Sequence, residues 1–147
     1  FLKDCSLDLI GPIDESLTSE VLDFVHKSKS INYLGQVHGV ERFRQLLCHD
    51  VFVLPTKGEG LSTALLEAIS SYCEIITTPM CNLSDDQLTK NFYYCQPFDS
   101  SIYEALLNLY VSFSSGDRPI LINQREHVIS NYGWDHVACL LLPLYYD

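Results

Sequence analysis

Basic residues are scarce in this chain: nine Lys and Arg stand against nineteen Asp and Glu, for a formal net charge of −10. The nine are also dispersed. Affinity for nucleic-acid backbones comes from clustered Lys and Arg, so a nucleic-acid role is excluded. No run approaches the roughly eighteen uninterrupted apolar residues of a membrane span. The start, Phe1-Leu-Lys-Asp-Cys5, lacks the basic-then-apolar pattern of a secretory leader. The six cysteines, at 5, 48, 73, 81, 95 and 139, show no Cys-x-x-Cys spacing. They read as buried free thiols in a reducing, cytoplasmic compartment, against a disulfide framework or structural zinc. The five histidines have no ligand spacing either. His136 is expected to be packing or surface, and no metal is expected. Internal repeats, low-complexity tracts and linkers are absent as well.

What is present is a chain of 147 residues with 47% apolar content, which suits one domain spanning 1–147. Strands are expected at 7–10, 31–34, 51–54, 74–77 and 92–95. Helices are expected at about 17–28, 40–48, 61–72, 100–113, 118–131 and 134–146. This alternation predicts an α/β fold, a parallel sheet with helices on both faces. Ser16 or Thr18 is the expected cap of the first helix. Residues 82–90, polar and containing Asp85-Asp86, form the one sizeable irregular stretch and a candidate mobile loop over a ligand.

The most informative segment runs from Val51 to Ile69. Val51-Phe-Val-Leu54 is uniformly apolar and β-prone, which suits a strand covered on both faces, and Pro55 blocks further pairing. Leu61, Leu65, Leu66 and Ile69 recur at helical spacing, so a helix is expected to begin near Gly60. A strand feeding a helix through a glycine turn directs backbone N–H groups and the positive end of the helix dipole at an anion. Glu59 and Glu67 flank that opening, on the order of 10 Å apart if the helix is regular. Glycosidase carboxyl pairs are roughly 5 to 9.5 Å apart, so the pair suits hydroxyls at two ends of one long ligand with phosphate between them. A sugar nucleotide is such a ligand. The bland alternative is that Glu59 merely complements the helix dipole. Lys57 is either a phosphate contact or a solvated loop lysine.

The order apolar strand, Pro-Thr, x-Gly-Glu-Gly, helix, Glu-Ala-Ile-Ser resembles the carboxyl-terminal donor-binding domain of family-4 (group 1) retaining glycosyltransferases of the GT-B fold. Leu7-Asp-Leu-Ile-Gly11, Ile31-Asn-Tyr-Leu-Gly35-Gln-Val37, Phe43-Arg-Gln-Leu-Leu47, Ile75-Ile-Thr-Thr-Pro79 and Asn131-Tyr-Gly-Trp134 fall in the family's order. The resemblance implies a Rossmann-like sheet and retaining hexosyl transfer from a nucleotide-diphosphate sugar, without metal or other cofactor. By the same resemblance Glu59, the catalytic-site residue, holds sugar hydroxyls. Gly60, Leu61, Ser62 and Thr63 offer N–H groups to sugar and diphosphate, and Glu67 accepts from the ribose. Gly11 belongs to the donor site, and the Gly35-Gln36-Val37 loop meets the base.

The resemblance further implies an Arg and a Lys on a βα unit before Phe1, and an amino-terminal acceptor domain as partner. The 147 residues are then a fragment with negligible turnover alone, and membrane contact would come only through sequence outside them. The sequence departs from the family at Tyr72 and Glu74, where a glycine and a proline are usual, and at Ser62, often a glycine. The final run from Leu140 to Tyr146 covers either the domain's own sheet or a missing partner. A non-catalytic interaction module of the same fold and a sugar-nucleotide epimerase are the alternatives. A phospho-receiver would need an acidic cluster and a late lysine that are not evident.

Overall fold

A computed structural model describes residues 4–116 and 121–141. It divides into two compact units, Phe1–Arg42 and Phe43–Asp147.

In the first unit, β1 (Leu7–Ile10) pairs in parallel with β2 (Ile31–Gly35), and the connection carries α1 (Thr18–Lys27). A single turn of 3₁₀ helix, Glu15–Leu17, precedes α1. Its cap is Asp14 rather than Ser16 or Thr18: the Asp14 carboxylate accepts from the Ser16 amide at 2.9 Å. Leu17 occupies the α1 cap position without a side-chain bond, because the 3₁₀ turn already supplies the helix start. Burial alternates residue by residue along β2, the signature of a strand covered on one face. α2 (Gly39–Leu47) runs across the boundary between the units.

The second unit holds β3 (Val51–Leu54), α3 (Thr63–Ser70), β4 (Glu74–Thr77), α4 (Asp86–Thr89), β5 (Tyr93–Tyr94), α5 (Asp99–Ser115), α6 (Ile122–Tyr132) and α7 (Trp134–Leu141). Its strands are parallel in the order β3-β4-β5. The sequence predicts one sheet, and the described strands form two ladders. The cause is topological: β1 and β2 pair across α1, β3 and β4 across α3, and no pairing joins the two sets. Rossmann-like parallel α/β organisation holds within each ladder.

Helices cover both faces of the β3-β4-β5 sheet, and the strand period of two decides which residue faces which helix. Phe52, Leu54 and Ile75 pack in one cluster with Leu65, Leu66, Ala68 and Ile69 of α3, Leu83, Leu88 and Val128. Val51, Val53 and Ile76 pack in the other with Ala105 and Leu109 of α5. The uniformly apolar run of β3 is therefore read correctly as a strand with two covered faces.

Residues 82–90 are not a loose loop. Asp85 caps α4, its side chain accepting from the Gln87 amide at 3.0 Å. Leu83 and Leu88 are buried, the latter completely. The Gln124 side chain, itself buried, donates to the Leu88 carbonyl from α6. Two apolar anchors in a polar stretch were enough to fold it back onto the core.

Tyr72 adopts φ +64, a left-handed conformation that strains any residue but glycine. The Arg125 guanidinium stacks 5.3 Å from its ring centroid, and Arg125 Nε donates to the Ser70 carbonyl at 3.0 Å. A glycine would fit that dihedral, and tertiary contacts hold a tyrosine in it. Glu74 opens β4 buried at 4% exposure. Gly133 separates α6 from α7 for a different reason: a Cβ there would stand 2.5 Å from the Ile129 carbonyl oxygen. On α7, His136 is half-buried, Trp134 is 86% exposed, and Leu140 and Leu141 are also exposed. The rest of the expected final run, 142–146, lies outside the described residues. Among the described residues no helix is long and apolar enough to cross a membrane.

Candidate functional site

Pro55 ends β3, and the chain turns back on itself, the Thr56 amide donating to the Leu54 carbonyl at 2.9 Å. The Thr56 hydroxyl then accepts from the Gly58 amide at 3.1 Å, so Lys57 stands exposed at the tip of a serine/threonine-type turn. Glu59, Gly60 and Leu61 follow, all exposed.

α3 begins at Thr63, three residues beyond the expected Gly60, with Ser62 in the cap position. Ser62 is buried at 5% exposure and its backbone is extended. The delay arises because Gly60 and Leu61 form a bend rather than a helical turn. The Leu66 amide makes the first helical bond, to the Ser62 carbonyl. The amides of a helix's first turn have no carbonyl within the helix, so this end of α3 is suited to an anion. Leu65, Leu66, Ala68 and Ile69 are buried, and Glu67 is half-buried. Neither Gly58 nor Gly60 has a positive φ, and a Cβ at either would meet nothing within 4 Å. The protein itself leaves the space beside Gly60 open.

The loop does not stand alone. Thr77 and Thr78, both fully buried, donate their hydroxyls to the carbonyls of Leu54 at 2.9 Å and Thr56 at 2.7 Å. The Glu59 amide donates to the Met80 carbonyl at 3.1 Å. The connection after β4 is therefore fastened to the connection after β3. Farther along, the second oxygen of Asp85 accepts from His127 Nε2 at 2.7 Å and from the Tyr132 hydroxyl at 3.1 Å. Burial opposes the charge on Asp85, but bonds from His127, the Gln87 amide and Tyr132 outweigh it and hold the carboxyl below its usual range. The Tyr132 phenol is pushed up, by burial first and then by Asp85. Burial likewise raises the Cys73 thiol, with Asp50 adding to it, to about 11.

Lys57, Glu59, Gly60, Leu61, Ser62, Thr63 and Glu67 thus lie on one loop and helix start of the second unit. Gly11, Gly35, Gln36 and Val37 belong to the first unit. There the Gly11 amide donates to the Gly35 carbonyl at 2.9 Å, and the Tyr33 hydroxyl donates to the Gly11 carbonyl at 3.0 Å. Gly35 has φ +70, so the turn that exposes Gln36 needs a glycine. Sequence reasoning missed Thr78, Met80 and the Asp85 cluster. The Thr-Thr-Pro run after an apolar strand was visible; nothing in the sequence tied it to Glu59, nor His127 to Asp85. Among the described residues no group of three or more His, Cys, Asp or Glu could hold a metal ion.

A family model described as glycosyl transferases group 1 matches residues 2–111, a span that includes both glycine turns, the glutamate loop and the connection after β4. No curated protein matches the chain.

Proposed function

The chain belongs to the group 1 glycosyltransferases, and from that premise we propose that it is the donor-binding domain of a retaining, family-4-type enzyme with the GT-B fold. In the full-length protein it binds a nucleotide-diphosphate sugar, and the hexosyl group passes to a glycan, lipid or other acceptor held by a separate acceptor domain. The observation that carries this reading is the exposed loop from Lys57 to Leu61 opening onto the start of α3, with Glu59 before that start and Glu67 within the helix.

Neutral sugar hydroxyls meet Glu59, ribose hydroxyls meet Glu67, and the diphosphate takes the N–H groups of 60–63 between them. That order keeps the phosphates away from both carboxylates in a chain that is already acidic. Lys57 adds a cation at the loop tip. Positive charge and preorganised N–H groups, rather than a metal ion, stabilise the departing diphosphate. Transfer should therefore survive chelation of divalent ions. A reducing cytoplasmic setting suits six free cysteines, three of them buried.

Calorimetry on the full-length protein tests the assignment. Glu67→Ala should weaken nucleoside diphosphate and intact donor alike, whereas Glu59→Ala should mainly lose discrimination for the sugar. Equal losses of both ligands in both variants would sink it. No heat from the wild type with uridine or guanosine diphosphate, alone or carrying a sugar, would favour a non-catalytic module.

A further inference from the structure

Glu59 is exposed and flanked by two glycines, so its own loop does little to fix it. The fixing comes from elsewhere. The Thr77 hydroxyl ties the end of β4 to the end of β3, and the connection that follows reaches the loop through the Thr78 hydroxyl and the Met80 carbonyl, the last accepting from the Glu59 amide itself. Cys81 and Leu83 bury the next residues, with Asn82 between them in a left-handed conformation at φ +53. The connection then ends at Asp85, bound by His127 and Tyr132 of α6. It is tied to the glutamate loop at one end and to a core helix at the other.

We propose that the segment 78–85 is a positioning strap for Glu59. Thr78 and Met80 hold the backbone of the glutamate loop, and the Asp85, His127 and Tyr132 cluster holds the strap against α6. The inference rests on the reading of Glu59 as the acceptor of donor-sugar hydroxyls. The strap residues act through Glu59 and touch no donor atom, so they are positioning residues. Loosening the strap acts on the sugar end of the donor and spares the nucleoside end, where Glu67 rides on the buried α3.

The test uses full-length protein with Thr78→Val, which removes the hydroxyl and keeps the shape, and Thr78→Ser, which restores it. Asp85→Asn is the second probe: asparagine caps a helix as well as aspartate, so α4 is kept while the charged acceptor is lost. Amide exchange is followed across residues 56–60, and binding is measured with UDP-glucose, GDP-mannose, UDP and GDP. Thr78→Val and Asp85→Asn should speed exchange across 56–60 about tenfold, the loss expected of one net hydrogen bond, and Thr78→Ser should not. Affinity for the sugar nucleotide that the wild type binds should fall about tenfold, with that of its nucleoside diphosphate nearly unchanged. Unchanged exchange in both variants overturns the strap, as do equal losses of both ligands in variants with wild-type circular dichroism. A wild type that binds none of the four probes overturns the donor reading instead, and exchange alone then decides whether the strap holds the loop.

Discussion

In the first unit, a helix packs on a two-stranded parallel ladder and none of the residues 4–42 is buried; in the second, a three-stranded ladder is covered on both faces and holds every buried side chain of the described chain. The patterns of the strands explain the contrast. β2 alternates, so it can offer one face to a core, whereas β3 is apolar along its length and β4 is buried along its length, its ends Glu74 and Thr77 included, so these strands are covered on two faces. Between β1 and α1 lies a cavity of about 330 Å³ lined by Leu7, Leu9, Leu17, Val21, Phe24 and Ile31, with Glu20 beside them. The second unit supplies the rigid frame, and the glutamate loop is built on that frame. The loop thus stands where burial can hold its geometry.

The largest effect should separate the two cores. Leu65→Ala and Ile76→Ala, at fully buried positions, should each cost about 3 kcal/mol. Leu9→Ala in the first unit, at a half-buried position, should cost about 1 kcal/mol. Urea titration checks this, and equal costs would break the contrast.

Next come the glycines, which distinguish packing limits from dihedral limits. Gly133→Ala drives a Cβ against the Ile129 carbonyl and should cost about 2 kcal/mol. Gly35→Ala, in open space but at positive φ, should cost about 1 kcal/mol. Gly60→Ala, with neither constraint, should leave the melting temperature unchanged and weaken donor binding alone.

A third comparison concerns the Asp85 cluster of the second unit. Because the Asp85 carboxyl is held below its ordinary value of about 4, the stability it adds is present above that pH and fades as pH falls through the lower folded value. The Tyr132 phenol is raised, so its share is present below about pH 10 and is lost as pH rises through the higher folded value. Asp85→Asn should cost about 1 kcal/mol at neutral pH and converge with the wild type in acid, as thermal melts between pH 3 and 7 would read.

The last expected effect is at Tyr72. Tyr72→Gly should be more stable than Tyr72→Ala by about 1 kcal/mol, because both lose the Arg125 contact and only glycine relieves the left-handed strain. Equal stability would mean that the φ of +64 is not held in solution.

Much of the fold was legible. The expected limits of β1, β3 and β4 match the observed ones, with β1 closed by Gly11-Pro12 and the apolar run of β3 closed by Pro55. The glutamate loop was legible for the same reason, since strand, glycines and helix are neighbours in sequence. Three features were not. The helix start moved from Gly60 to Thr63, because periodicity locates a helical face better than a helix end. α4 formed inside a polar stretch because Leu83 and Leu88 found the core. The Asp85 cluster joins residues 42 and 47 positions apart, a distance over which a single sequence carries no pairing signal.

By itself, then, the sequence determined the alternation of strands and helices, the two covered faces of β3 and the placement of Glu59 and Glu67 around a helix start. These are properties of a period of 2 or 3.6 residues and of the backbone preferences of Gly and Pro, and they are written locally. Only the tertiary structure decided that the chain carries two ladders, that Tyr72 sits where a glycine belongs, and that Thr78, Met80 and Asp85 fasten the glutamate loop to α6. Those outcomes depend on hydrogen bonds and contacts between distant segments, whose partners are chosen by the packed core rather than by any neighbour along the chain.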